Sequence, residues 1–289
     1  MGLSNSPKIH VNSDLDKHML RGKDGRIRTK INTGAKYAVS ITILVLIIFT
    51  IYGFCTFDYK ELNLLDAALK TLANLKIVFF QPKASHFTLL EALSEVIITL
   101  GLAFLTTVIG AAVALILGLF AARNLSNVYV SNVIKAFIAF IRAVPTVLWV
   151  LIFAVAAGLG SVAAVIGLSL HSIAYLTKVY SESYEEVDSG VIEALKASGA
   201  SFWQIVFQAV LPSTSTSLVA WTFMRFEINF TNAVAMGAAA GAGGIGFDLF
   251  MAGSFYYDLR SIGVISYLIL IFAFILEIFS TKMKNKYLA

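Results

Sequence analysis

Side chains able to do covalent chemistry are few and far apart in this chain. The four histidines, His10, His18, His86 and His171, are scattered and do not supply a cluster of the kind a metal site or a nucleophile needs. Cys55 is the only cysteine, so no intrachain disulfide can form. It closes a run rich in Phe and Ile, where a small apolar filler is the natural role. The hexapeptide Gly241-Ala242-Gly243-Gly244-Ile245-Gly246 formally matches G-x-G-x-x-G, but the dinucleotide fingerprint needs a preceding strand and a βαβ unit, and this setting is helical. No G-x-x-x-x-G-K-[ST] occurs, so the chain holds no nucleotide by a P-loop. The expectation is a protein that catalyses nothing covalent and carries no metal or cofactor.

Charge inside apolar sequence is more informative. Arg225, Glu227 and Asn229 lie within one long apolar stretch, and Arg142 interrupts another shortly before Pro145. A charge at the centre of a bilayer costs about 2.5–3.5 kcal/mol even on the lenient insertion scale, so such residues face the interior of a bundle. On a helix, positions i and i+2 point about 200° apart, so Arg225 and Glu227 do not readily pair with each other. Two readings stay open for Arg225: a cation lining a path for an oxyanion, or one half of an interhelical ion pair or gate contact. Asn229 reads as an interhelical hydrogen-bond donor. Arg142 reads by default as a snorkelling anchor near an interface, with a place on a pathway as the alternative. His171 reads as a buried, hydrogen-bonded histidine, and Glu95 as an interfacial residue.

The elements that position these residues are membrane spans. Of the 289 residues 58% are hydrophobic and only 13% charged, against about 25% charged in an ordinary soluble domain. Apolar runs of about 20 residues mark spans. They are Tyr37–Phe57, Val96–Ala122, Val133–Ala157, Ser161–Thr177, Val206–Met236 and Ile262–Phe279, the third and fourth joined by a turn containing Gly158 and Gly160. Asp58–Glu95 reads as an extracytoplasmic loop with a short amphipathic helix. The runs lack the alternation of barrel strands, so the expected fold is all-α, a polytopic bundle of six transmembrane helices.

The net charge is +5, and the basic residues gather at the chain ends and beside apolar runs rather than on one face, which argues against a nucleic-acid partner. Basic flanks stay in the cytoplasm, which places both termini inside and requires an even number of spans. The expected organisation is a basic cytoplasmic segment over 1–36, a transmembrane domain over 37–281 and a cytoplasmic tail over 282–289. Roughly 36 largely polar residues precede the first apolar run, and that run is long enough to span, so no cleaved signal peptide is expected.

The polar segment 185–212, EEVDSGVIEALKASGASFWQIVFQAVLP, falls on the cytoplasmic side of this path. Asp188 and Ser189 are helix-start residues, Ala194, Leu195 and Ala197 are strong helix formers, Gly199 can take the left-handed conformation that stops a helix, and Ser201 can start another. The pattern predicts a short helix, a sharp turn and a second helix leading into a span.

Glu193-Ala194-Leu195, then Gly199-Ala200, then Leu211-Pro212 resembles the signature E-A-A-x3-G-x9-I-x-L-P of ABC importer permeases, with Leu195 at the second Ala and Ala209 at the Ile. The resemblance implies a type I importer fold in which this segment is the coupling helix, docking on a cytoplasmic ATPase subunit. It also implies two ATPase copies, a second permease subunit (an identical copy is expected) and an extracytoplasmic substrate-binding protein. From Arg142 to Gly246 the stretches RAVPTVLW, GLSLHSIAYLTKVYSES, EALKASGASFWQ, MRFEINF and GAGGIG are similar to the phosphonate-importer permeases. This resemblance implies phosphonate, phosphite or hypophosphite as cargo. Arg142, Arg225, Glu227 and Asn229 are then candidates for the translocation pathway. Gly241, Gly243, Gly244 and Gly246 are candidates for a periplasmic gate or a binding-protein contact. A permease for another small solute such as methionine is the nearest alternative; a secondary transporter would need an inverted repeat and coupling-ion residues, which are not seen.

Overall fold

The computed structural model describes residues 19–21, 27–29, 33–56 and 63–287. The chain divides into two compact units, 1–67 and 68–289. In the first unit two three-residue strands, β1 (Met19–Arg21) and β2 (Ile27–Thr29), pair antiparallel with Leu20 opposite Arg28, a small exception to the all-α expectation. Helix α1 (Thr33–Thr56) follows, with apolar residues exposed all round it. Cys55 is exposed on this helix, so it fills no core within the chain.

In the second unit every regular element among the described residues is a helix. Helix α2 (Leu64–Phe80) replaces the expected short loop helix with a longer one and docks on the last helix. Tyr267 donates a hydrogen bond to the Phe79 carbonyl at 2.6 Å, and Gly263 leaves no room for a Cβ because the Val78 carbonyl occupies that place. Helix α3 (Leu89–Ala121) starts seven residues before the predicted span. A capping box sets that start: Thr88 N–H donates to the Glu91 carboxylate at 2.7 Å, and Thr88 Oγ1 accepts from Glu91 N–H at 3.2 Å.

The predicted third span is broken into α4 (Val128–Ala143) and α5 (Thr146–Ala157), which meet at 88°. Pro145 lacks an N–H and drives Val144 out of the helical region, to φ −89 and ψ 125. Trp149 then turns back across the corner and its indole N–H donates to the Ile141 carbonyl at 3.0 Å, satisfying an acceptor the helix end leaves open. Helix α6 (Ser161–Glu185) runs parallel to α3, Gly110 lying on Ser172 and Gly118 on Tyr180.

Short helix α7 (Ser189–Ala197) and one-turn helix α8 (Phe202–Ile205) lead through a π turn (Val206–Val210) into α9 (Leu211–Ala240). Helix α10 (Ile245–Ser254) leaves α9 at 43°, and α11 (Leu259–Tyr287) closes the described chain. The stretch predicted as a tail from 282 onward is the last two turns of α11, as far as Tyr287. Among the described residues four helices are long and apolar enough to cross a membrane: α1, α3, α6 and α11. The number is six if each bent pair is one span, so the six-span architecture holds with two of its spans broken.

What holds α3 against α6 is backbone proximity. Gly110, Ala114 and Gly118 recur at every fourth position of α3, and all three are buried. A Cβ on Gly110 would lie 2.6 Å from Ser172 Cβ. Gly118 likewise faces Tyr180 and Tyr184 at 3.1 Å. In a bilayer there is no hydrophobic drive between helices, so small residues that let backbones touch supply the packing energy instead.

Candidate functional site

Two regions hold the residues singled out in the sequence. The first is the segment after α6. Asp188 caps α7, its carboxylate accepting from Gly190 N–H at 2.7 Å. Helix α7 ends in a Schellman motif: Gly199 stands at φ +83, its N–H donates to the Lys196 carbonyl, and Ala200 N–H reaches the Leu195 carbonyl, both at 3.0 Å. Ser201 then opens α8, its N–H held by the Gln204 side chain at 2.7 Å. The helix–turn–helix expected from Asp188, Gly199 and Ser201 is thus present.

Ile192 is buried, and Leu195, Ala200 and Leu211 are half-buried, against a core that includes Leu119, Tyr184, Ile205 and Val206. Glu193, Ala194, Gly199 and Pro212 are exposed. The short helix therefore keeps one face on the bundle and leaves Glu193 and Ala194 free. The π turn was not foreseen. Leu211 N–H bonds back five residues to Val206, which widens the helix just before Pro212, whose ring would otherwise crowd the carbonyl of Gln208. The Leu-Pro ending of the motif is the visible sign of it.

The second region lies inside the bundle. Asn229 is fully buried and joins three helices: its amide donates to Thr107 at 2.8 Å on α3 and to Ser172 at 2.9 Å on α6. Its expected role as an interhelical donor is what the structure has. Arg225, one turn earlier, is 2% exposed. Its Nε donates to Ser172 Oγ at 3.1 Å, its guanidinium lies 5.2 Å from the Tyr175 ring centroid, and its Nη2 is buried with no partner. No carboxylate pairs with it among the described residues. Glu227 points elsewhere and is half-exposed, as the 200° separation requires.

His171 departs from expectation, being half-buried with a covered Nδ1 that has no hydrogen-bond partner. Helix α4 begins at the end of the bundle where Lys135 pairs with Glu185 at 2.8 Å and Asn124 donates to the Tyr184 carbonyl at 2.7 Å. Arg142 is exposed, seven residues beyond Lys135 and about 10 Å further along the helix. It lines a groove of about 230 Å³ with Lys135, Lys178, Glu182 and Glu185.

The glycine segment closes the other end of α9. Gly241 takes the left-handed cap of α9 and is exposed, and Gly243 is half-buried. Gly244 and Gly246 are buried, pressed against Thr99 of α3 and the Val234 carbonyl of α9, and Ile245 N–H donates to Thr99 Oγ1 at 3.0 Å. At that same end Asp258 caps α11. Burial pushes its carboxyl up, but hydrogen bonds from Ser261 and from the Arg260 and Ser261 backbone outweigh this and hold it below the usual carboxylate range. Sequence reasoning missed Ser172, Tyr175, Thr107 and the α3 glycines. The four-residue repeat of small residues in α3 was the available signal.

Comparison with known proteins matches this geometry. Residues 114–288 fit the family described as binding-protein-dependent transport system inner membrane component, a stretch that contains the first region and all of the second except Thr99 and Thr107 of α3. The chain is 35% identical over 153 residues, 53% of its length, to the phosphate-import permease protein PhnE of Mycolicibacterium smegmatis, spanning 29% of that protein. It is also 35% identical over 152 residues, 52% of its length, to the phosphite transport system permease protein PtxC of Stutzerimonas stutzeri, spanning 55% of it. The chain thus spans about half or less of the length of these two curated relatives. In fold it is similar to a chain of the MetNI methionine ABC transporter in an inward-facing conformation, with TM-score 0.62 and 21% identity over 71% of this chain and 99% of that one. The chain belongs to the family of binding-protein-dependent transport system inner membrane components.

Proposed function

We propose that the chain is the permease subunit of an ATP-driven importer for phosphonate or a related phosphorus oxyanion. The carrying observation is the capped helix α7 between α6 and α8, which keeps Ile192 on the bundle and offers Glu193, Ala194 and Gly199 outward. A short helix fastened this way converts movement of a docked partner into rocking of the spans. The partner is a cytoplasmic ATPase subunit in two copies, which supplies the hydrolysis this chain does not perform. Two identical permease chains enclose the path, and an extracytoplasmic binding protein delivers the cargo. Both termini face the cytoplasm, as the basic flanks suggest. Arg142, Arg225, Glu227 and Asn229 border the path, and the turn Gly241–Gly246 forms its extracytoplasmic gate.

The cargo reading is supported by relatives named for phosphate import and phosphite transport. Methionine is the second reading, favoured by relatives named as methionine permeases, one of them 29% identical over 165 residues. Proteoliposomes carrying the permease, its ATPase and its binding protein decide between them. ATP-dependent uptake of labelled phosphite or methylphosphonate is expected. Uptake of methionine alone would transfer the assignment to the second reading, and uptake that survives without ATP would remove the importer class altogether.

A further inference from the structure

Helix α6 carries a polar stripe. His171, Tyr175, Lys178, Glu182 and Glu185 recur at steps of four and three and so share one face. Lys178 and Glu182 pair along this face at 3.5 Å, and Glu185 is taken by Lys135 of α4. With these charges cancelled, Arg142 is left in the groove with no ion pair among the described residues. At the inner end of the same stripe stands Arg225, with its unpartnered Nη2, and beside it His171, whose Nδ1 is also unsatisfied. Arg225 lies over the Tyr175 ring, and Arg142 lines the groove beside Lys178, one turn further along α6, so the two cations stand at neighbouring turns of one stripe.

A buried guanidinium with no carboxylate and an open donor calls for an anion that this chain does not supply. We propose that Arg225 and Arg142, across the His171–Tyr175 face of α6, form a two-cation subsite for the phosphorus oxyanion in transit, and that the groove toward Glu185 is its exit. This rests on the cargo reading above. Ser172 is a positioning residue: by holding Nε it leaves Nη2 to the ligand. Tyr175 supports the guanidinium from below through its ring face. The paired residues of the exit groove present no net attraction beyond Arg142, so the anion is held by two charges and released past neutralised ones.

The test uses the reconstituted importer with its binding protein and ATPase, and labelled phosphite (dianion) and hypophosphite (monoanion) as probes. Arg225→Gln and Arg142→Gln should each lower phosphite uptake at least tenfold, while binding-protein-stimulated ATP hydrolysis persists. Arg225→Lys should recover part of the loss. Each Gln variant should also shift preference toward hypophosphite by about tenfold, which is about 1.4 kcal/mol of discrimination between the two ions and an effect a purely structural arginine would not produce. Unchanged uptake and unchanged ion preference in Arg142→Gln, whose side chain is exposed and tolerates exchange, would overturn the subsite even if the Arg225 variants fail to assemble. Wild-type importer that moves neither ion would instead strike down the cargo reading.

Discussion

Gly199 offers a clean test of the coupling segment, because only one physical effect is in play there. The residue sits at φ +83, and a Cβ built on it meets nothing within 4 Å. Substitution therefore adds no clash, only the backbone strain of an L-residue in the left-handed region, about 1–2 kcal/mol. Opposing escape from that strain are the two Schellman bonds, each worth about 0.5–1.5 kcal/mol net. Strain and restraint are therefore of similar size. Asn, which tolerates the left-handed region, should keep the turn; Ala should keep it at a cost near 1 kcal/mol; Val, which is β-branched, should open it.

Once the turn opens, α7 loses its fixed angle to α8, and motion of a docked ATPase is no longer passed to α9. The assay is binding-protein-stimulated ATP hydrolysis in proteoliposomes, compared with the thermal unfolding of the same samples. Gly199→Val should abolish stimulation, Gly199→Ala should reduce it, and Gly199→Asn should nearly preserve it, with membrane insertion intact in all three. If Gly199→Val couples normally, or Asn is as damaging as Val, the turn is not what transmits the motion.

Gly110→Val should lower bundle stability by about 1–3 kcal/mol through overpacking against Ser172, read as an earlier midpoint in detergent unfolding; an unchanged midpoint would mean that α3 and α6 do not touch as described. Asn229→Ala removes two short interhelical bonds, each averaging about 0.6 kcal/mol within a membrane, and should cost more than Asn232→Ala, a half-buried neighbour on the same helix. Equal costs for the two would contradict the three-helix junction. Pro212→Ala restores an N–H and should let the π turn close to an α turn, slowing amide exchange across residues 208–213 by mass spectrometry; exchange as fast as in the parent would show that the proline does not hold the turn open.

The parts of the molecule governed by local rules were readable from the residues alone. Asp188, Gly199 and Ser201 act within a turn of themselves, so their types state their conformations. Hydropathy likewise marked the apolar runs, because exclusion from water depends on the segment rather than on its neighbours. It could not give direction. The 88° corner at Pro145 is held by Val150 lodged against Gly167 and by Trp149 reaching Ile141, contacts between residues far apart or across a break. The place of Arg142 along the bundle was not legible for the same reason, since it depends on which way α4 runs beside α6. The site was half legible: Arg225 and Asn229 stood out as polar residues in apolar sequence. Ser172 and Tyr175 did not, because one is a common small residue and the other a common aromatic one.

The seam between α3 and α6 also restricts which parts of the bundle can change place. Where Gly110 lies on Ser172 there is no layer of side chains to shear, so sliding one helix past the other would drive atoms into each other within a fraction of an ångström. The pair behaves as one stiff body, and Ser172, Tyr175 and His171 travel with it. Any cycle between two states of this chain must therefore be articulated elsewhere, at the interruptions in the helices. Those are the corner at Pro145 and the widened turn before Pro212, each at one end of a helix that carries an arginine of the proposed subsite.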